Sequence, residues 1–266
     1  MFQTIGFIGC GNMGGALARA AAGKGRLFFA DPHAEKTAAL EASLGGTVTD
    51  NETIAATCEL IFLGVKPQKM ERMFAPLREI LASRKDRFVL VSMAAALSMD
   101  TVAQMAGGDY PIIRIMPNTA VCVGAGMIQA CSKHTTQAET DAFCELMQNA
   151  GVLDLVDEHL LDAAGSVSGC GPAFLCLALE GMADGGVACG LPREKALLYA
   201  AQTIYGLGKM AQTTGAHPGV LKDQVTSPGG TTIQGVRALE NAGVRAGFME
   251  AVIAAYEKTL ALRDAD

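Results

Sequence analysis

Two glycine-rich turns hold the residues best placed to do chemistry. The first, Gly9-Cys10-Gly11-Asn12-Met13-Gly14, follows the apolar run 5–9 and leads into a helical segment. In that strand–turn–helix setting, G-x-G-x-x-G is a phosphate-binding turn. Gly9 permits the tight turn, Gly11 removes a side chain that would block a pyrophosphate, and Gly14 lets helix and strand pack closely. Free N–H groups and the positive end of the helix dipole then face the phosphates. Residues 9–14 are therefore candidates for holding a dinucleotide. The second turn reads Ser227-Pro228-Gly229-Gly230-Thr231-Thr232 and precedes a helical segment over 233–242. Its hydroxyls, its backbone N–H groups and the helix N-terminus suit a small carboxylate. Thr231 with Gln234 fits a capping box, so one of the threonines is expected to be structural.

Other candidates lie where apolar runs end. Asp31 stands 20 residues after Gly11, where an acid commonly holds a ribose 2′-hydroxyl. His33 and Lys36 follow it, and either suits a 2′-phosphate, so NAD and NADP both remain open. Asp31-Pro32 also reads as a helix start. Lys66, between Val65 and Pro67, sets a cation at a strand end; the small residues Ala94, Ala95 and Ala96 allow a flat ring to approach; Asn118 follows Pro117 in a turn. Ser168-Gly169-Cys170-Gly171-Pro172 forms another small-residue turn before a long helix. No His–carboxylate couple stands out as a proton donor of the kind a carbonyl reductase needs. An imine asks for less, because an iminium already carries its proton, and orientation beside a nicotinamide can suffice.

These residues need a scaffold of alternating elements. Runs at 4–9, 27–30, 60–65, 88–91, 112–116, 127–130 and 152–156 read as strands, and 14–22, 34–44, 69–80 and 137–149 read as helices. Strands apolar on both faces and separated by helices imply an α/β, doubly wound, mostly parallel sheet. After 156 the strand signal ends and helices rich in Ala, Gly, Leu and Met follow. Leu175, Leu179, Met182 and Gly186 share one helical face, and the opposite face is hardly more polar. Such helices must be buried on most sides, which predicts interlocking with a partner subunit. The expected organisation is a dinucleotide-binding Rossmann domain at 1–156 and an all-α substrate and dimerisation domain at 157–266.

Composition narrows the function classes. A net charge of −6 with scattered basic residues argues against a nucleic-acid partner. The longest nearly uncharged apolar stretch noted, 88–99, is far short of the roughly 20 residues of a membrane span. The first ten residues lack a charged leader pattern, so a cytoplasmic protein is expected. The eight cysteines show no Cys-x-x-Cys spacing and no clustering with the four histidines. They read as reduced core thiols, with neither disulfide framework nor metal site.

The motifs taken in order resemble one family. They are 7–14 (Phe-Ile-Gly-Cys-Gly-Asn-Met-Gly), Val65-Lys66-Pro67, Met116-Pro117-Asn118-Thr119, Ser168-Gly169-Cys170-Gly171-Pro172-Ala173 and His217-Pro218-Gly219 leading to 227–232. Together they cover nearly the whole chain and are similar to pyrroline-5-carboxylate reductase. Ala120, Cys170 and Phe174 stand where that family more often has Pro, Ser and Tyr. The resemblance implies reduction of 1-pyrroline-5-carboxylate to L-proline, with NADPH as cofactor and NADH as the alternative. It also implies an interleaved homodimer, often stacked into a decamer. By the same match, Val65, Lys66, Pro67, Met93, Ala94 and Ala95 line the cofactor and Asn51 sits near the adenosine ribose. Thr232 meets the substrate ring nitrogen as the catalytic residue, and Ser227, Gly229, Gly230, Thr231, Ser168 and Asn118 complete the substrate pocket. Two other readings are a β-hydroxyacid-dehydrogenase-like oxidoreductase and a dinucleotide sensor. The missing second-domain Lys–Asn pair argues against the first. The intact turn 227–232 argues against the second.

Overall fold

The computed structural model describes residues 2–263. Its strands are β1 (Thr4–Ile8), β2 (Arg26–Ala30), β3 (Thr47–Val48), β4 (Leu60–Leu63), β5 (Val89–Ser92), β6 (Ile112–Pro117), β7 (Gly126–Lys133) and β8 (Gly151–Leu155). Between and after them lie α1 (Asn12–Ala20), α2 (Ala34–Leu44), α3 (Asn51–Thr57), α4 (Pro67–Phe74), α5 (Arg78–Ser83), α6 (Met99–Ala106), α7 (Gln137–Met147), α8 (Glu158–Ser168), α9 (Gly171–Ala188), α10 (Arg193–Thr214), α11 (Pro218–Gln224), α12 (Thr231–Asn241) and α13 (Val244–Arg263).

The eight strands form one sheet in the order β3-β2-β1-β4-β5-β6-β7-β8. All neighbours pair in parallel except β6 and β7. The exception follows from the connection. Only a 3-10 turn, Thr119–Val123, separates β6 from β7, and a parallel crossover needs a dozen residues or more. Alternate residues of the central strands feed two cores, one on each face. Phe7, Leu60, Phe62, Val89 and Val91 join α1 and α7 on one side. Ile8, Ile61, Leu63 and Leu90 join α3, α4 and α6 on the other. Phe7 stacks on Phe62 with ring centroids 4.6 Å apart.

Several expectations are refined. The segment expected as one helix over 69–80 is two, α4 and α5, with Leu77 as the N-cap of the second. The short elements β3, α3 and α6 carry too little periodicity to be read from the sequence; Asp50 and Ser98 cap the two helices by accepting from Thr53 N–H and Thr101 N–H. Cys10, Cys58 and Cys131 are buried thiols as expected, but Cys122, in the 3-10 turn 119–123, and Cys176 and Cys189, in and at the end of α9, are exposed. The run Glu158–Ala188, and not only the shorter stretch 88–99, is apolar, and it is long and apolar enough by length and composition to cross a membrane. Its first half nevertheless buries Asp162 against Arg114 at 2.6 Å.

The chain divides into two compact units. One holds the described residues up to Gly169 together with those from Tyr256 onward, and the other is Cys170–Ala255. The last strand ends at Leu155, beside the boundary drawn from the sequence. Helix α8 stays with the sheet because it packs on β6 and β7. The second unit has a very small core. Ala183 of α9 packs against Ala196 and Ala200 of α10, with Leu179 and Val187 beside them. Gly186 allows the close approach, since a Cβ there would lie 3.2 Å from that of Ala196. Large apolar side chains stay exposed, among them Leu177 at 71%, Leu198 at 62% and Met249 at 60%. Helix α12 buries no residue at all.

Candidate functional site

The glycine turn lies at the carboxyl end of β1, beside the point where the strand order reverses between β1 and β4. Its three glycines answer to three different neighbours. Gly9 has φ +97°, and a Cβ on it would lie 2.5 Å from the carbonyl oxygen of Gly64. A Cβ on Gly14 would fall 2.1 Å from the carbonyl oxygen of Gly9. Both are excluded by the protein's own backbone. A Cβ on Gly11 would meet nothing within 4 Å. Its absence leaves open space above the N-terminus of α1, where Gly11 is the N-cap and no side chain caps the helix. Uncapped N–H groups facing open space can receive a pyrophosphate, so the turn fits a dinucleotide.

Asp31, at the end of β2, braces this turn. One carboxylate oxygen accepts from Cys10 N–H at 2.8 Å and the other from His33 N–H at 2.9 Å. Lys36 Nζ lies 3.9 Å from the same carboxylate. The helix start expected at Asp31-Pro32 falls two residues later. His33 is the N-cap of α2 and Pro32 precedes the helix, because Asp31 is drawn toward the glycine turn. Cys10 contributes backbone only: burial first, then the charge of Asp31, pushes its thiol up to about 12. It stays a neutral thiol and is no nucleophile.

The neighbouring strand ends gather the other candidates in this unit. Gly64 closes β4 against Gly9, its N–H donating to Ile8 C=O at 2.7 Å. Val65 and Lys66 follow, with Lys66 as N-cap of α4 and Pro67 in its first turn. After β5 come half-buried Met93, buried Ala94 and exposed Ala95. Ala96 takes φ +66°, a left-handed conformation costing an alanine about 1–2 kcal/mol, so the loop is held by its surroundings. Asn51 opens α3. Asn118 and Ser168 are drawn together. Asn118 Nδ2 donates to Ser168 C=O at 3.1 Å, and its Oδ1 accepts from the N–H groups of Ala120 and Met127 at 3.2 Å. Ser168 Oγ donates to Gln129 Oε1 at 2.9 Å. These bonds fix the end of β6 to the end of α8. Sequence reasoning missed Gly64 and Gln129. The signal for the first was a glycine directly after a buried strand. For the second it was a polar residue inside one.

The second turn belongs to the helical unit. Gly229 has φ +68°, a left-handed value that favours glycine. A Cβ on Gly230 would lie 2.5 Å from Ser227 Oγ, and Gly230 N–H donates to Ser227 C=O at 3.0 Å. The capping box expected from Thr231 and Gln234 does not form. Gly230 is the N-cap and Thr231 already occupies the first helical position, so α12 begins with no side-chain cap. Thr231 and Thr232 are exposed, and an exposed hydroxyl beside uncapped N–H groups suits a small anion.

Known proteins match the regions that hold both turns. A family profile described as pyrroline-5-carboxylate reductase dimerisation matches residues 158–262, and one described as NADP oxidoreductase, coenzyme F420-dependent, matches 4–96. Pyrroline-5-carboxylate reductase of Methanosarcina acetivorans is 40% identical over 264 residues, covering 97% of each chain. The chain belongs to the pyrroline-5-carboxylate reductase family. The pea (Pisum sativum) pyrroline-5-carboxylate reductase is 39% identical over 263 residues, covering 96% of this chain and 94% of its own. Among solved structures, the Plasmodium falciparum pyrroline carboxylate reductase with NADP bound superposes with a TM-score of 0.86 at 31% identity, covering 98% of both chains. The reductase dimerisation profile starts at the first residue of α8, so it takes in the helix that packs on the sheet as well as the helical unit.

Proposed function

We propose that this protein is an NAD(P)H-dependent reductase that converts 1-pyrroline-5-carboxylate to L-proline, the last step of proline biosynthesis. Full-length similarity to curated members of the family carries the activity. The single structural observation that supports it is the open space at Gly11 above an uncapped helix N-terminus. When bound, the reduced nicotinamide supplies a hydride to C5 of the pyrroline ring.

The residues of the chain bind and orient. The N–H groups at residues 10–14 would hold the pyrophosphate, with Lys36 and Asn51 toward the adenosine end and Val65–Pro67 and Met93–Ala95 also lining the cofactor. Asp31 keeps the turn in shape through Cys10 N–H. In the helical domain, the N–H groups and hydroxyls at 227–231 hold the substrate carboxylate. Thr232 hydrogen-bonds the ring nitrogen, which already bears its proton in the iminium form. Asn118 and Ser168 are also assigned to substrate binding. No strong acid is needed, because hydride addition to the protonated imine gives the amine directly. Residues 1–156 act as the cofactor domain and 157–266 as the substrate and dimerisation domain. The exposed Leu177, Leu198 and Met249 support burial of that helical surface in a homodimer, since monomeric proteins seldom leave so much apolar surface open. The enzyme is assigned to the cytoplasm.

Thr232→Ala tests the substrate role. Thr232 is exposed, so the variant folds. Loss of one hydrogen bond to a polar substrate atom is expected to cost about 1–3 kcal/mol, so kcat/KM falls roughly 5- to 150-fold. The decline is read from the absorbance of the reduced nicotinamide over a range of pyrroline-5-carboxylate concentrations spanning KM. Unchanged kcat and KM would remove Thr232 from the mechanism.

A further inference from the structure

A groove of about 210 Å³ runs beside the glycine turn between α1 and α2, lined in part by Cys10, Gly11, Asn12, Arg19 and Lys36. Arg19 lies in the last turn of α1, where a cation ordinarily serves the helix dipole by facing the final carbonyls. It does not do so here. Its Nη1 atom lies 3.4 Å from where a Cβ of Gly15 would stand, so the guanidinium folds back one turn toward the glycine loop. The bare backbone of Gly15 gives it room. Among the described residues the Arg19 side chain has no hydrogen-bond or ion-pair partner. Among the described residues that line the groove none is a carboxylate, and the nearby Asp31 is already bound by two N–H groups and loosely paired with Lys36 at 3.9 Å. His33 is turned to Glu35, 3.6 Å away. The groove thus presents two cations and no acid of its own.

We propose that Arg19 is a specificity-determining residue that, with Lys36, recognises the adenosine 2′-phosphate and makes this protein prefer NADPH over NADH. The guanidinium presents paired donors matched to a phosphate monoester, and its unpaired state means that nothing within the protein must be broken to bind. This rests on the reductase reading, and the test separates the two. For the unsubstituted enzyme and Arg19→Ala, kcat/KM is measured with NADPH and with NADH, and binding of 2′,5′-ADP and 5′-AMP is measured by calorimetry. The expected result is a fall of about tenfold or more in the NADPH/NADH ratio of kcat/KM, matched by an equal fall in the 2′,5′-ADP/5′-AMP affinity ratio. Arg19→Lys should recover part of both. An unchanged affinity ratio overturns the role of Arg19, whether or not the enzyme turns over. Loss of affinity equally for both nucleotides also overturns it, since Arg19 would then serve the shared phosphate. Turnover with neither cofactor, alongside a changed affinity ratio, would refute the reductase reading while leaving Arg19 as a 2′-phosphate ligand.

Discussion

Gly11→Val is expected to abolish tight dinucleotide binding in a protein that still folds. The backbone at Gly11 has φ −68° and ψ −168°, which valine adopts without strain, and its Cβ would touch no protein atom within 4 Å. The added side chain instead fills the space a pyrophosphate needs. Losing two charge-assisted N–H contacts, each worth about 1.5 kcal/mol or more, weakens binding by at least roughly 100-fold. Gly14→Ala should do the opposite. Its new Cβ would lie 2.1 Å from the Gly9 carbonyl oxygen, so α1 must shift off β1, at a cost of about 1–3 kcal/mol or more. Calorimetric titration with the dinucleotide and thermal melting separate the two effects. If the valine variant binds normally, or melts as low as the alanine variant, the assignment of open space to the phosphates fails.

The second large effect concerns the buried pair that joins α8 to the sheet. Arg114 sits in the core strand β6, with only 3% of its side chain exposed. It donates to Asp162 at 2.6 Å and to Glu158 at 3.3 Å, and its Nε has no partner. Arg263 Nη1 lies 3.8 Å from the other Asp162 oxygen. Asp162→Ala removes the closer counter-charge and leaves a cation desolvated. Breaking such a pair from one side typically costs about 3–5 kcal/mol, more than the pair adds when intact. The melting temperature is expected to drop by about 10 °C, since 1 kcal/mol moves a protein of this size by roughly 2–4 °C. A change below about 1 kcal/mol in urea unfolding would mean that Glu158 alone compensates Arg114.

Much of the scaffold was legible because its signals are physical and local. The central strands of the sheet are apolar on both faces, which a doubly covered sheet requires, and the 9–14 turn names its own geometry. What escaped detection depends on contacts distant in sequence. Asp31 read locally as a ribose ligand or a helix cap; it is not the cap of α2, and its bond to Cys10 N–H, 21 residues away, is a contact that local sequence does not announce. Nothing local distinguishes these roles. Thr231 and Gln234 have the spacing of a capping box, yet the bond from Gly230 N–H to Ser227 C=O leaves Gly230 as the N-cap. Arg114 was passed over inside an apolar run, although a lone charge in a buried strand is itself a sign of a distant partner. The antiparallel β6–β7 joint was hidden for a simpler reason: the strands were visible, but the shortness of their link was not weighed. The helical region was legible in another way. Its excess of apolar surface predicted a partner subunit, and the small alanine core shows how little of that surface the chain buries alone.

The most direct measurement mixes the purified full-length protein with 1-pyrroline-5-carboxylate and NADPH, and in parallel NADH, while following nicotinamide absorbance and the formation of L-proline. The proposed function predicts oxidation of the cofactor in step with proline, one for one, and no oxidation without the pyrroline. Absence of oxidation with either cofactor, or oxidation without proline, would contradict it.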